Sequence, residues 1–135
     1  MAKGLTGLAH IGVRVSDMQR SLEFYVNDLG MELTDKYERA GGTILAFVQA
    51  GTCILELIYS PKVDVKALSA GQVDHVCFEC DDIASYMARL EGKVELISPI
   101  GEMPDIMGGA KNVFFKGPDG ERIELFEFTR KVKRV

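Results

Sequence analysis

Leu8–Ala9–His10–Ile11–Gly12–Val13–Arg14–Val15–Ser16–Asp17 can be written directly above Val73–Asp74–His75–Val76–Cys77–Phe78–Glu79–Cys80–Asp81–Asp82. The two histidines coincide, and so do Asp17 and Asp82, seven residues further on. Ile44–Leu45–Ala46–Phe47–Val48 and Ile54–Leu55–Glu56–Leu57 then lie above Asn112–Val113–Phe114–Phe115–Lys116 and Arg122–Ile123–Glu124–Leu125 without a gap. Each half therefore reads His, about 45–50 residues, then Glu inside an apolar strand. Internal repeats come first in any fold reading, and here the repeat decides it.

Working outward, 135 residues make one domain by size, or two small halves sharing a core. The chain is 47% hydrophobic and contains no apolar run of membrane-spanning length. The N-terminal residues lack the long apolar region of a signal peptide, so the expected compartment is the cytoplasm, with no membrane partner. A net charge of −4 argues against nucleic acid. The basic run 130–134 reads as a solvated tail. Cys53, Cys77 and Cys80 suggest a reducing compartment rather than a disulfide framework. Cys77 and Cys80 have the spacing of a redox or zinc pair, but strand alternation sends them to opposite faces. They read better as small buried hydrophobes.

In chain order, residues 8–15 alternate as a strand, with Ile11, Val13 and Val15 on one face and His10, Gly12 and Arg14 on the other. Ser16 and Gln19 form a capping-box pattern. The helix behind them carries Met18, Leu22, Tyr25 and Leu29 on one stripe and stops at Gly30. Residues 31–37 read as a strand, 39–42 as a turn, and 43–50 with 52–59 as a hairpin. The second half repeats this order: strand 72–80, helix 81–90 with Ile83, Met87 and Leu90 inward, strand 94–98, and a hairpin across Gly117–Pro118–Asp119–Gly120. Residues 99–109, rich in Gly, Pro and Met, read as a lid. The predicted fold is α+β: a first βαβββ module over 5–60, a linker over 61–70, a second module over 71–128 and a tail over 129–135.

Taken singly, His10, Glu56, His75 and Glu124 are weak signals, since a lone strand histidine is more often a satisfied core or surface residue. That account gives no reason for His to pair with Glu twice at the same strand positions. The chain has two histidines in all, and both sit at the equivalent place. Two His and two Glu form a nitrogen–oxygen donor set suited to Zn²⁺, Ni²⁺, Mn²⁺, Fe²⁺ or Co²⁺. Crowded carboxylates repel and raise one another's pKa unless a cation sits between them.

These residues resemble the vicinal oxygen chelate superfamily, and within it most closely lactoylglutathione lyase (glyoxalase I) of the short bacterial type. The resemblance spans residues 8–128. It rests on His10–Ile11–Gly12–Val13–Arg14–Val15 with Asp17, Arg20, Ser21, Phe24, Tyr25, Leu29, Gly30 and Met31, and on Pro118–Asp119–Gly120 with Ile123–Glu124–Leu125. It implies an open barrel of two tandem modules and an isomerase that converts the methylglyoxal–glutathione hemithioacetal to S-lactoylglutathione through an enediolate. It also implies one divalent ion per site, Ni²⁺ or Zn²⁺ with Co²⁺ or Mn²⁺ as substitutes, held by His10, Glu56, His75 and Glu124. Glu124 is then the first choice for the base and Glu56 the second. Arg14 matches the arginine that holds a glutathione carboxylate. The family is usually a homodimer, with His10 and Glu56 from one chain and His75 and Glu124 from the other.

The chain departs from the glutathione-using pattern at Ser60, where those enzymes tend to carry Asn. It also lacks an Arg before His75, although Lys111 could supply a positive charge near the predicted lid. Three enzyme relatives and one non-enzyme relative compete. Methylmalonyl-CoA epimerase shares the proton-abstraction chemistry but typically has Gln in place of Glu56. Fosfomycin-modifying enzymes and extradiol dioxygenases use two His and one Glu. Bleomycin-resistance-like proteins bind drugs without a metal, and the full ligand set favours an enzyme over them.

Overall fold

In each repeat a short strand of alternating burial runs into a helix capped by an aspartate. The computed structural model describes residue 4, residues 8–68, residue 73 and residues 75–129. The basic run 130–134 lies outside the described residues. The chain divides into two compact units, Met1–Leu68 and Ser69–Val135. Both are α+β, as the repeat predicts: the first is βαβββ, and the second has one strand more after its helix.

The first unit contains β1 (Ile11–Arg14), α1 (Met18–Leu22), β2 (Glu32–Glu38), β3 (Ile44–Ala50) and β4 (Cys53–Tyr59). Its sheet order is β1-β4-β3-β2, with β1 parallel to β4 and the other neighbours antiparallel. Ala46, Val48, Leu55 and Leu57 fill the face covered by the helix and are essentially inaccessible to solvent. The other face carries Leu45, Phe47, Ile54 and Ile58, all half-buried.

The cap of α1 is Asp17, not the predicted Ser16: its carboxylate accepts from Arg20 N at 3.0 Å. Asp82 does the same for α2 (Ile83–Arg89), accepting from Ser85 N at 3.1 Å. The repeated aspartates are thus paired N-caps, each satisfying an amide that the helix leaves unbonded. The predicted stripe on α1 also shifts. Beyond Leu22 the backbone widens into a π turn, Glu23–Asp28, with Leu29 N bonded to Phe24 O at 2.9 Å. This extra residue per turn rotates Phe24 inward beside Met18, Tyr25 and Leu29, and leaves Leu22 half-buried. Gly30, at φ +84°, ends the helix as predicted.

The second unit contains β5 (Val76–Glu79), α2, β6 (Glu95–Leu96), β7 (Gly101–Met103), β8 (Ala110–Lys116) and β9 (Arg122–Phe128). Its order is β5-β9-β8-β6, with β5 parallel to β9 and β7 also paired to β8. Val113, Phe115, Ile123 and Leu125 form its covered face, beneath Ile83 and Leu90. β6 and β7 bond to opposite ends of β8, so together they stand where β2 stands in the first unit. Pro99 lies in the gap between them, where a residue without an N–H cannot continue a ladder. The predicted 99–109 lid is therefore partly sheet: Gly101–Met103 is a strand, and a turn follows it.

The register corrects the ungapped alignment of the two halves. In the first unit Ala50 pairs with Cys53 across a tight turn, whereas in the second Lys116 pairs with Arg122. The longer second loop moves β8 by one residue against its counterpart. Phe47 faces Glu56 and Phe114 faces Glu124, so Phe114, not Phe115, is the equivalent of Phe47. Since strand side chains alternate, one residue of slip exchanges the two faces of β8. Asn112 is thereby the counterpart of Leu45.

Candidate functional site

Each unit brings one histidine and one glutamate together on the sheet face away from its helix. In the first, Gly12 of β1 pairs with Glu56 of the parallel β4, and His10 just precedes β1. His10 Nε2 lies 3.6 Å from Glu56 Oε1. In the second, Cys77 of β5 pairs with Glu124 of β9, and His75 Nε2 lies 3.0 Å from Glu124 Oε1. A parallel strand pair is what this requires: it sets the start of one strand beside the middle of the other, with both side chains on one face.

The surroundings repeat in part. The Phe47 ring meets the His10 ring edge to face at 5.7 Å between centroids, and Phe114 meets His75 at 5.2 Å. Two aromatic rings thus fix two imidazoles, a role that the ungapped reading of the sequence hid. Arg122 stacks on Phe114 at 5.2 Å. The pairs differ in their cover, the His10 and Glu56 side chains being 42% and 18% exposed against 32% and 8% for His75 and Glu124.

They differ in hydrogen bonding too. Asn112 Nδ2 donates to Glu124 Oε2 at 2.9 Å. Burial of the Cys77 thiol, then the Glu124 charge and a hydrogen bond to that carboxylate, push Cys77 up to about 12. Cys77 is exposed as a residue rather than a buried small hydrophobe, and all three cysteines are free thiols. Neither Asn112 nor Cys77 was legible as a neighbour of Glu124; only the sheet register shows them.

Of the predicted substrate-binding residues, Arg14 is exposed on the strand face that carries His10 and Gly12. Ser60 closes a turn, its hydroxyl accepting from Lys62 N at 3.3 Å. Lys111 pairs with Glu127 and Glu102 in register, and the Asp82 carboxyl of the α2 cap is held low first by its hydrogen bonds from Ser85 and, to a smaller extent, by the Lys111 charge. Lys111 therefore lies on the helix side of the sheet, opposite Asn112 and Glu124. Among the described residues no group of three or more His, Cys, Asp and Glu is placed to hold an ion by itself. No helix among them is long and apolar enough to cross a membrane.

The spacing of the donors bears on whether they fit a metal. Two ligand atoms about 2.1 Å from one ion are about 3.0 Å apart at a right angle and about 3.4 Å apart at the tetrahedral angle. The 3.0 Å separation of His75 and Glu124 lies in that range, the 3.6 Å of His10 and Glu56 lies just beyond it, and the mix of imidazole and carboxylate suits such an ion.

Comparison with known proteins agrees. A family model described as the Glyoxalase/Bleomycin resistance protein/Dioxygenase superfamily matches residues 7–125. The lactoylglutathione lyase of Escherichia coli O157:H7 is 32% identical over 89% of this chain and 91% of its own. The mitochondrial methylmalonyl-CoA epimerase of Bos taurus is 31% identical over 87% of this chain and 72% of its own. The crystal structure of a glyoxalase family protein from Enterococcus faecalis superposes with a TM-score of 0.75 at 28% identity, covering 90% of this chain and 98% of that one. The repeated α+β units, the doubled His–Glu pair and these likenesses agree, and the chain belongs to the Glyoxalase/Bleomycin resistance protein/Dioxygenase superfamily.

Proposed function

We propose that this protein is a metal-dependent isomerase of the glyoxalase I type, acting on the hemithioacetal of methylglyoxal and glutathione to give S-lactoylglutathione. The observation that carries this reading is the doubled pair, His10 with Glu56 and His75 with Glu124, at ligand-like separations. Identity to lactoylglutathione lyases supports the substrate.

His10, Glu56, His75 and Glu124 together hold one divalent ion, Ni²⁺ or Zn²⁺ with Co²⁺ or Mn²⁺ as substitutes. In a homodimer each site takes His10 and Glu56 from one copy and His75 and Glu124 from the other. A divalent ion so held would supply Lewis acidity toward the substrate. Glu124 is the first choice of base to take the C1 proton and return it to the adjacent carbon, and Glu56 the second. Glu56 is the second carboxylate of the pair and the looser one. Phe47 and Phe114 hold the imidazoles and exclude water. Arg14 receives a glutathione carboxylate, as a guanidinium suits a carboxylate at two points. Ser60 offers one hydroxyl where relatives carry an amide, and Lys111 takes no part, lying across the sheet. Three free thiols support a reducing, cytoplasmic setting.

The test is an isomerase assay on the hemithioacetal, using metal-stripped protein refilled in parallel with Ni²⁺, Co²⁺, Mn²⁺ and Zn²⁺. Turnover with at least one ion is expected. Silence with every ion, in protein that still binds metal tightly, would discard glutathione. It would favour the second reading, epimerisation of an acyl-CoA, which the likeness to methylmalonyl-CoA epimerase supports.

A further inference from the structure

Glu124 is held by more than His75. Asn112 donates to Oε2 at 2.9 Å while Oε1 faces His75 Nε2 at 3.0 Å, so the two carboxylate oxygens have separate partners. The Cys77 thiol lies against the same carboxylate. Glu56 has neither neighbour, because the register puts Leu45 where Asn112 stands and Gly12 where Cys77 stands. An amide on a half-covered apolar face, beside Phe114 and Phe126, costs desolvation unless it is bonded, and here its bond goes to a ligand-type carboxylate. A donor fixed on one oxygen aims the other.

We propose that Asn112 is a positioning residue: it tethers Glu124 Oε2, so that Oε1 alone is turned toward His75 and the ion. This rests on reading the His–Glu pairs as metal ligands. It makes the two halves unequal, with a pre-aimed glutamate in the second unit and a loosely held one in the first.

The experiment is a Co²⁺ titration of the full-length, metal-stripped protein, followed by its visible absorption, in the wild type, Asn112→Leu and Asn112→His. Leu copies the first unit, and His restores a side-chain N–H. The tether predicts that Asn112→Leu weakens Co²⁺ binding about tenfold and alters the absorption bands. The metal-free melting temperature should stay within about 3 °C, and Asn112→His should recover most of the affinity. On the hemithioacetal, kcat should fall about tenfold with KM little changed. Unchanged affinity and bands in Asn112→Leu would overturn the proposal, as would a weakening matched by lost metal-free stability. Wild-type protein that binds Co²⁺ but turns over no hemithioacetal defeats the isomerase reading and leaves the tether measurable. Active wild type with an indistinguishable Asn112→Leu defeats the tether alone. Wild type that binds no ion overturns both.

Discussion

The two His–Glu pairs occupy the same place in two copies of one unit, yet one is anchored and the other is not. His10 and Glu56 stand 3.6 Å apart, with Leu45 and Gly12 as neighbours that donate no side-chain hydrogen bond. His75 and Glu124 stand 3.0 Å apart, with Asn112 bonded to the carboxylate and the Cys77 thiol against it. Repetition of strands, caps and aromatic supports keeps the His and Glu side chains in place. The residues that differ, at two register positions, decide how firmly each carboxylate is aimed. A duplicated fold can thus hold one carboxylate firmly and its equivalent loosely.

The largest expected effect comes from removing the anchored carboxylate. Glu124→Gln should lower kcat on the hemithioacetal about a thousandfold, and Glu56→Gln by a smaller factor, about ten to a hundred. Equal losses in steady-state assays would break the comparison. Arg14→Ala should raise KM for the glutathione adduct about tenfold with kcat nearly kept. An unchanged KM would mean that this arginine contacts no part of the substrate.

Cys77 gives a chemical readout of the second pair. A thiol pushed up to about 12 stays protonated at pH 8, so in metal-free protein its alkylation should be slow for an exposed cysteine. Glu124→Gln removes the charge that helps raise it and should speed the reaction; an equal rate would separate Cys77 from Glu124. The smallest effect concerns the helices. Ser21 Oγ is buried with no hydrogen-bond partner among the described residues, so Ser21→Ala should raise stability by about 1 kcal/mol in thermal melts. Destabilisation would point to a partner for that hydroxyl.

Much of this was legible before any coordinates. Alternation in β1 and β5, the repeated His, Glu and Asp, and the turn residues predicted the α+β architecture of two repeated units and the pairing of a His with a Glu in each. The details that failed were those decided by register and local hydrogen bonding. Ser16 looked like the cap, but Asp17 accepts from the Arg20 amide while the Ser16 hydroxyl accepts from the Arg20 guanidinium. The stripe on α1 assumed a regular period that the π turn breaks. Above all, the hairpin loops differ by one residue, and no apolar pattern in β8 reveals the slip, because Phe114 and Phe115 are both aromatic. That ambiguity hid Phe114 and Asn112, and it left the side of Lys111 undecided.

The central claim is that His10–Glu56 and His75–Glu124 serve one ion. Its most direct test is the stoichiometry of tight Co²⁺ binding to full-length protein, in the wild type, His10→Ala and His75→Ala. The account predicts one ion per chain, and loss of tight binding in either variant. Two ions per wild-type chain, with each variant keeping one, would show two independent sites and contradict it.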